Sequence, residues 1–205
     1  SVKIAEKNFI TTFGIKPNRP NTSMGYITAG EKKVYNGFLI DSFIEKPPIN
    51  IAKKLINSKK SFWNSGIFLF TAKNFINEAE NYAKQTIDLA YRVQKSIKKD
   101  MIFKVIPKKP FDNFDNEPID KSIMEKTKNG VTVPIEIKWF DVGSWEGVLD
   151  AVKKDRNNNS VSNNVFFSDV KNTIVWSKNK KVVVVGVDNL AIIEDNNGLL
   201  VKKIT

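Results

Sequence analysis

One change of pattern constrains this chain more than any other feature. Up to about residue 153, apolar residues switch between the two-residue period of strands and the three-to-four-residue period of helices. After the polar, asparagine-rich stretch KKDRNNNSVSNN at residues 153–164, only short strand patterns remain. Strands alternating with helices build a layered α/β fold. Strands alone, separated by SKNKK, VDN and EDNNG, build a small β module. The expected organisation is an α/β domain over residues 1–153, a linker over 154–164 and a β-rich domain over 165–205.

Within the first part, apolar spacing predicts a helix over 2–9, and ITTFGI reads as a strand. A proline-rich loop, KPNRPNTS, leads to strands at GYITAG and KVYNGFLIDSFIEK. Asn50 is placed to cap a helix, and a short strand is expected at 67–70. Thr71 caps a helix whose Phe75, Ile76, Ala79 and Ala83 form one stripe. A further helix is expected over 87–97, a loop through KVIPKKPFDNFDNEP, a short helix over 119–124, a strand over 131–137 and a helix from Ser144 to about Val152.

Composition removes whole classes of chemistry. The 205 residues contain no cysteine and no histidine, so disulfides, Ser-His-Asp triads and thiolate or imidazole zinc sites are excluded. Any metal must be hard and oxygen-bound. The formal net charge of +11 comes almost wholly from scattered lysines, with arginine only at Arg19, Arg92 and Arg156. Base readout favours arginine forks, so solvated basic faces are expected rather than a nucleic-acid partner. No apolar run has the roughly 20 residues that span a bilayer, and the first residues lack a secretory apolar core. A cytoplasmic protein without a membrane partner is the expectation.

Four short stretches carry chemistry, each with a bland reading beside it. Gly25 in MGYI would let backbone approach a ligand flanked by Tyr26, or it is a turn glycine beside a packed tyrosine. Glu45 and Lys46 in FIEKP end a strand, where carboxylate and ammonium can meet sugar hydroxyls and a phosphate. They could equally be an exposed charge pair. Adjacent strand residues point oppositely, so both reach one ligand only if the strand bends there. Asn64 in WNSG suits a sugar hydroxyl, or the stretch is merely a turn entering the next strand. Asp141 in FDVGSW either caps the following helix or holds magnesium beside phosphates. The sequence has no GxGxxG and no P-loop, so it carries no glycine-rich nucleotide cradle of its own.

In order, TTFGIKPNRPNTSMGYITAG, FIEKP, FWNSGIFLF, IDKSIMEKT and WFDVGSW resemble the mannose-1-phosphate guanylyltransferases, and VVVVGVDNLAIIEDNNGLLV resembles the β-rich domain that follows the catalytic one in that family. The resemblance implies the C-terminal part of a nucleotide-diphospho-sugar transferase, a Rossmann-like mixed sheet, followed by a left-handed β-helix-like domain. It implies that mannose 1-phosphate attacks the α-phosphorus of GTP, giving GDP-mannose and pyrophosphate for polysaccharide biosynthesis. Gly25, Tyr26, Glu45, Lys46 and Asn64 would bind substrate, Lys46 and Asp141 would be catalytic, and Asp141 would be a magnesium ligand. Sheet edges exposed where the family's N-terminal half is missing could drive a homodimer.

Two departures stand out. Phe140 replaces the small polar residue usual before the last aspartate, and the family's N-terminal, nucleotide-binding half is not in this sequence. The chain alone is therefore expected to show little or no transfer. The rival readings are another sugar-1-phosphate nucleotidyltransferase and a non-catalytic sugar-nucleotide-binding module.

Overall fold

The computed structural model describes residues 1–160 and 164–204. Residues 161–163 of the expected linker and Thr205 of the expected β-rich domain lie outside the described residues. The chain forms two compact units, Ser1–Ile137 and Lys138–Thr205. No helix among the described residues is long and apolar enough to cross a membrane.

The first unit begins with α1 (Val2–Ala5), cut shorter than expected because Asn8 turns into the left-handed region at φ 64°. Its main strands are β1 (Ile10–Ile15), β2 (Tyr26–Val34), β3 (Gly37–Ile44), β4 (Ser61–Leu69) and β7 (Gly130–Ile135). They follow one another around a closed ring in the order β1, β4, β2, β3, β7. β1 and β7 run parallel, and the other pairings of the ring are antiparallel. The sheet is thus mixed, as expected.

Helices α2 (Ile49–Ile56), α3 (Ala72–Tyr82) and α4 (Lys84–Ser96) lie between strands. Pro48, not Asn50, occupies the cap position of α2, its backbone still extended at ψ 156° before the chain turns helical at Ile49. Thr71 caps α3 as predicted, its hydroxyl accepting the Asn74 N–H at 3.2 Å. The α3 stripe then packs Ala79 with Ile10, Ile27, Phe43, Ile123 and Met124. Burying each larger side chain of that cluster contributes roughly 1.5–3 kcal/mol. A second cluster of Ile4, Val131 and Val133 includes both β7 valines around Thr132. Ile123 and Met124 come from a five-residue π-helical turn, Asp120–Met124. Residues 98–103, for which no element was expected, pair with the start of the expected loop as a hairpin, β5 (Lys98–Asp100) and β6 (Phe103–Val105), and that loop also contains the one-turn α5 (Lys108–Phe111).

The second unit contains α6 (Trp145–Ala151) and strands β8 (Val165–Ser168), β9 (Ile174–Ser177), β10 (Val182–Val185), β11 (Leu190–Asp195) and β12 (Gly198–Lys203). β8 pairs parallel with β10, and β9 with β11, at the same sequence interval. β12 folds back on β11 as an antiparallel hairpin. Two expectations are corrected here. Helix α6, assigned to the first domain, packs Leu149 with Ile174, Ala191 and Ile204 of the second.

Residues 154–160, read as linker, belong to the folded unit as well. Asn159 is fully buried, its Oδ1 accepting the Thr173 N–H at 3.0 Å and its Nδ2 donating to the Val170 carbonyl at 2.8 Å. Asn158 donates to Asn172 at 2.7 Å and Asn172 to Asn189 at 2.6 Å, with all three residues at positive φ. Asparagine tolerates that conformation and supplies its own hydrogen bonds. A composition that suggests a linker therefore serves stacked turns.

Candidate functional site

The end of the first unit's sheet gathers three of the four predicted stretches. Tyr26 of β2 lies opposite Trp63 of β4 and Ile44 of β3. Gly25, Glu45 and Asn64 therefore stand side by side on neighbouring strands. WNSG is part of β4 rather than a turn before it. The strand starts at Ser61 and carries its irregularity at Gly66, where φ is 71°.

Asn64 is the centre of the polar network. Its backbone N–H donates to the Gly25 carbonyl at 2.8 Å. Its Oδ1 accepts from the Thr12 hydroxyl at 2.7 Å, and its Nδ2 donates to Asp120 Oδ1 at 2.9 Å. A side chain on Gly25 would meet Glu45 Oε2 at 2.5 Å and Asn64 Cβ at 3.3 Å, so the glycine is where the Glu45 carboxylate comes to rest. The close-approach reading of Gly25 thus acquires a physical basis.

β3 ends at Ile44, and Lys46 takes φ 51° just before Pro47. That is the bend required for consecutive residues to face one ligand. Lys46 Nζ lies 3.8 Å from Glu45 Oε1. The Glu45 backbone N–H is held by Glu125 Oε1 at 2.8 Å.

Burial pushes the Glu45 carboxyl up from its ordinary range, and the neighbouring Asp120 charge adds to this against the opposing pull of Lys46. Burial also raises Asp120, opposed by hydrogen bonds from its own backbone N–H and from Asn64. A carboxyl raised by folding binds more protons in the native state than in the unfolded one. Its ionisation therefore costs stability as pH rises from the unfolded pKa through the folded pKa. Glu45→Gln is accordingly expected to raise the melting temperature at neutral pH. The stability difference should shrink on acidification, when the native Glu45 is protonated too. Melting curves across pH check this, and a gain that persists unchanged in acid would refute it.

Tyr26, expected to bind substrate by flanking Gly25, packs inside the unit. It is 1% exposed, and its hydroxyl accepts the Asn21 N–H at 2.9 Å, so it props the loop leading to Gly25. Sequence reasoning assigned no role to Thr12, Asp120 or Glu125. Asp120 and Glu125 both lie in IDKSIMEKT, and the spacing of two acids around an apolar pair was their only signal. Their convergence on β3 and β4 needs the π-helical turn.

Asp141 belongs to the second unit. Ser144 caps α6, its hydroxyl accepting the Gly147 N–H at 3.2 Å, so the capping role goes to Ser144. Asp141 is exposed, and its Oδ1 accepts the Gly143 N–H at 3.1 Å. A Cβ on Gly147 would fall 1.8 Å from the Asp141 carbonyl oxygen, so the start of α6 is pressed against the Asp141 backbone. Among the described residues, no group of three or more acidic side chains could hold a metal. One outward carboxylate fits magnesium, which keeps waters and commonly takes one or two protein carboxylates beside substrate phosphates.

The family described as Nucleotidyl transferase matches residues 2–158, running past the division between the two units. A mannose-1-phosphate guanylyltransferase of Escherichia coli is 31% identical over 99% of this chain and 45% of its own length. One of Salmonella muenchen is 34% identical over 96% and 42%. The chain thus spans less than half the length of these relatives. Among solved structures, one titled mannose-1-phosphate geranyltransferase, from Thermus thermophilus, superimposes with a TM-score of 0.80 at 23% identity, over 98% of this chain and 58% of the other. That likeness shows the shared fold.

Proposed function

The chain belongs to the nucleotidyl transferase family, and on that premise we propose that it forms the sugar-recognising part of a mannose-1-phosphate guanylyltransferase. The observation that carries this is the meeting of Gly25, Glu45, Lys46 and Asn64 at one end of the sheet. In the reaction, a phosphate oxygen of mannose 1-phosphate forms a bond to the α-phosphorus of GTP. The bond from that phosphorus to the oxygen bridging to the β-phosphorus breaks, and pyrophosphate leaves.

This chain's residues position the reactants for the transfer. Glu45 accepts sugar hydroxyls, Asn64 holds a further hydroxyl from a side chain locked by Thr12 and Asp120, and Lys46 meets the sugar phosphate. The missing side chain at Gly25 leaves the Glu45 carboxylate its place. Tyr26 acts through the loop it props. Asp141 would hold magnesium, whose charge would neutralise the crowded phosphates. The guanine and mannose specificities rest on the named relatives. The nucleotide must be cradled by residues that this sequence does not carry. The parallel pairs and stacked asparagines support reading the second unit as a left-handed β-helix-like domain.

Calorimetric titration with GDP-mannose and magnesium tests the reading, with GDP-glucose for comparison. Saturable heat is expected, dependent on magnesium and diminished by Asp141→Ala. Gly25→Ala should lower the melting temperature only modestly, because the Glu45 carboxylate must swing aside and Asn64 Cβ, 3.3 Å away, must give by a few tenths of an ångström. It should nonetheless weaken binding at least tenfold, about 1.4 kcal/mol. An unaltered isotherm in Gly25→Ala, or no heat from a folded chain, would count against the proposal.

A further inference from the structure

We propose that the hairpin formed by β5 and β6 docks the protein on an anionic lipid surface. Its Met101–Ile102 tip would enter the interface, and its lysines would meet the headgroup phosphates. The two strands form a sheet of their own, with Lys98 opposite Val105, Lys99 opposite Lys104 and Asp100 opposite Phe103. Met101 is 93% exposed, Ile102 89% and Phe103 66%. The hairpin, residues 98–105, holds three exposed lysines against one aspartate, and of the two exposed lysines that follow it Lys108 is ion-paired with Asp112 at 2.6 Å.

In water, several features of this hairpin work against it. An isolated two-stranded sheet is marginal. Like charges directly opposite one another, as at Lys99 and Lys104, destabilise the pair. The two turn residues are among those least suited to a tight turn, where asparagine and glycine are favoured. Met101 nonetheless takes φ 52°, a conformation uncommon for a bulky side chain. At an anionic membrane the same features become favourable. The apolar tip leaves water, and the paired lysines face phosphates instead of each other. The charge complementarity selects an acidic lipid surface over a neutral one. This departs from the expectation of no membrane partner, which rested on spanning segments and gave no weight to surface docking.

Flotation with vesicles of phosphatidylcholine mixed with phosphatidylglycerol, against phosphatidylcholine alone, tests the proposal on the full chain. Binding is expected to the anionic vesicles only and to fall with added salt. The pair Met101→Ser with Ile102→Ser should abolish it without lowering the melting temperature. Lys99→Glu is the sharper variant, because it places a carboxylate opposite Lys104 and so favours the folded hairpin. At about fivefold per charge near such a surface, this two-charge change should weaken vesicle binding by roughly 25-fold. A hairpin with a purely structural role would not lose binding on that stabilising change. Equal binding to both vesicle types, no binding at low salt, or retention in either variant overturns the proposal. So does lipid-free self-association that the tip variants abolish, since the occupant would then be a second copy of the chain.

Discussion

Asn64→Leu is expected to destabilise the first unit by about 2–4 kcal/mol, because it removes a partner from the fully buried Thr12 and another from the half-buried Asp120. Thr12 is fully buried and donates to Asn64, while Asp120 accepts from it. Leucine preserves bulk but neither bond. The Asp120 carboxyl, already pushed up by burial, would lose a hydrogen bond that favours its charge. A fall in melting temperature of roughly 10 °C should follow.

The companion substitution identifies the cause. Asn64→Asp keeps the acceptor for Thr12 but sets a carboxylate against Asp120, so its penalty should diminish in acid. Exchanging the pair, Asn64→Asp with Asp120→Asn, restores a donor and an acceptor. A double-mutant cycle should then show coupling of at least about 1 kcal/mol. Strict additivity would mean that this hydrogen bond does not join β4 to the π-helical turn. Sugar binding should return only partly in the exchanged protein, since the charge beside Glu45 will have moved.

The other large effect is expected at Gly147. A Cβ there lies 1.8 Å from a backbone oxygen, which cannot swing aside as a side chain can. Gly147→Ala must therefore displace either the FDVGSW turn or the first turn of α6. In the same movement it would strain the Ser144 cap, whose hydroxyl accepts from the Gly147 N–H. Overpacking and a weakened cap together should cost about 2–4 kcal/mol. In so small a unit this is a fall of about 10 °C or more, at roughly 4–8 °C per kcal/mol.

Gly143→Ala supplies the contrast. The nearest atom to its added carbon is Asp141 Oδ1 at 3.1 Å, the end of an exposed side chain. Its cost should stay below about 1 kcal/mol. Urea unfolding of the two variants checks the order. Equal losses would show that the contact at Gly147 relaxes freely. Because Gly147 fixes the backbone of Asp141, its substitution should also reduce magnesium-dependent binding heat.

Local signals in the sequence reached a good part of this architecture. The Thr71 cap, the α3 stripe and the short strands of the second unit follow from side chains that interact with their near neighbours, and sequence spacing encodes those contacts directly. Gly25, Glu45, Lys46 and Asn64 could be nominated because their types suit a sugar phosphate, and the resemblance supplied their order. Sequence alone also excluded histidine and cysteine chemistry without reference to any fold.

Only the tertiary structure decided what depends on strands meeting from distant parts of the chain. It placed WNSG inside β4, brought Asp120 to Asn64 through a π-helical turn, and set the Glu45 carboxylate against Gly25. It made the asparagine-rich stretch a stacked turn rather than a linker. The same residue types permit either outcome locally. The choice falls to long-range pairing, because a buried donor or acceptor must find its partner wherever the fold brings one.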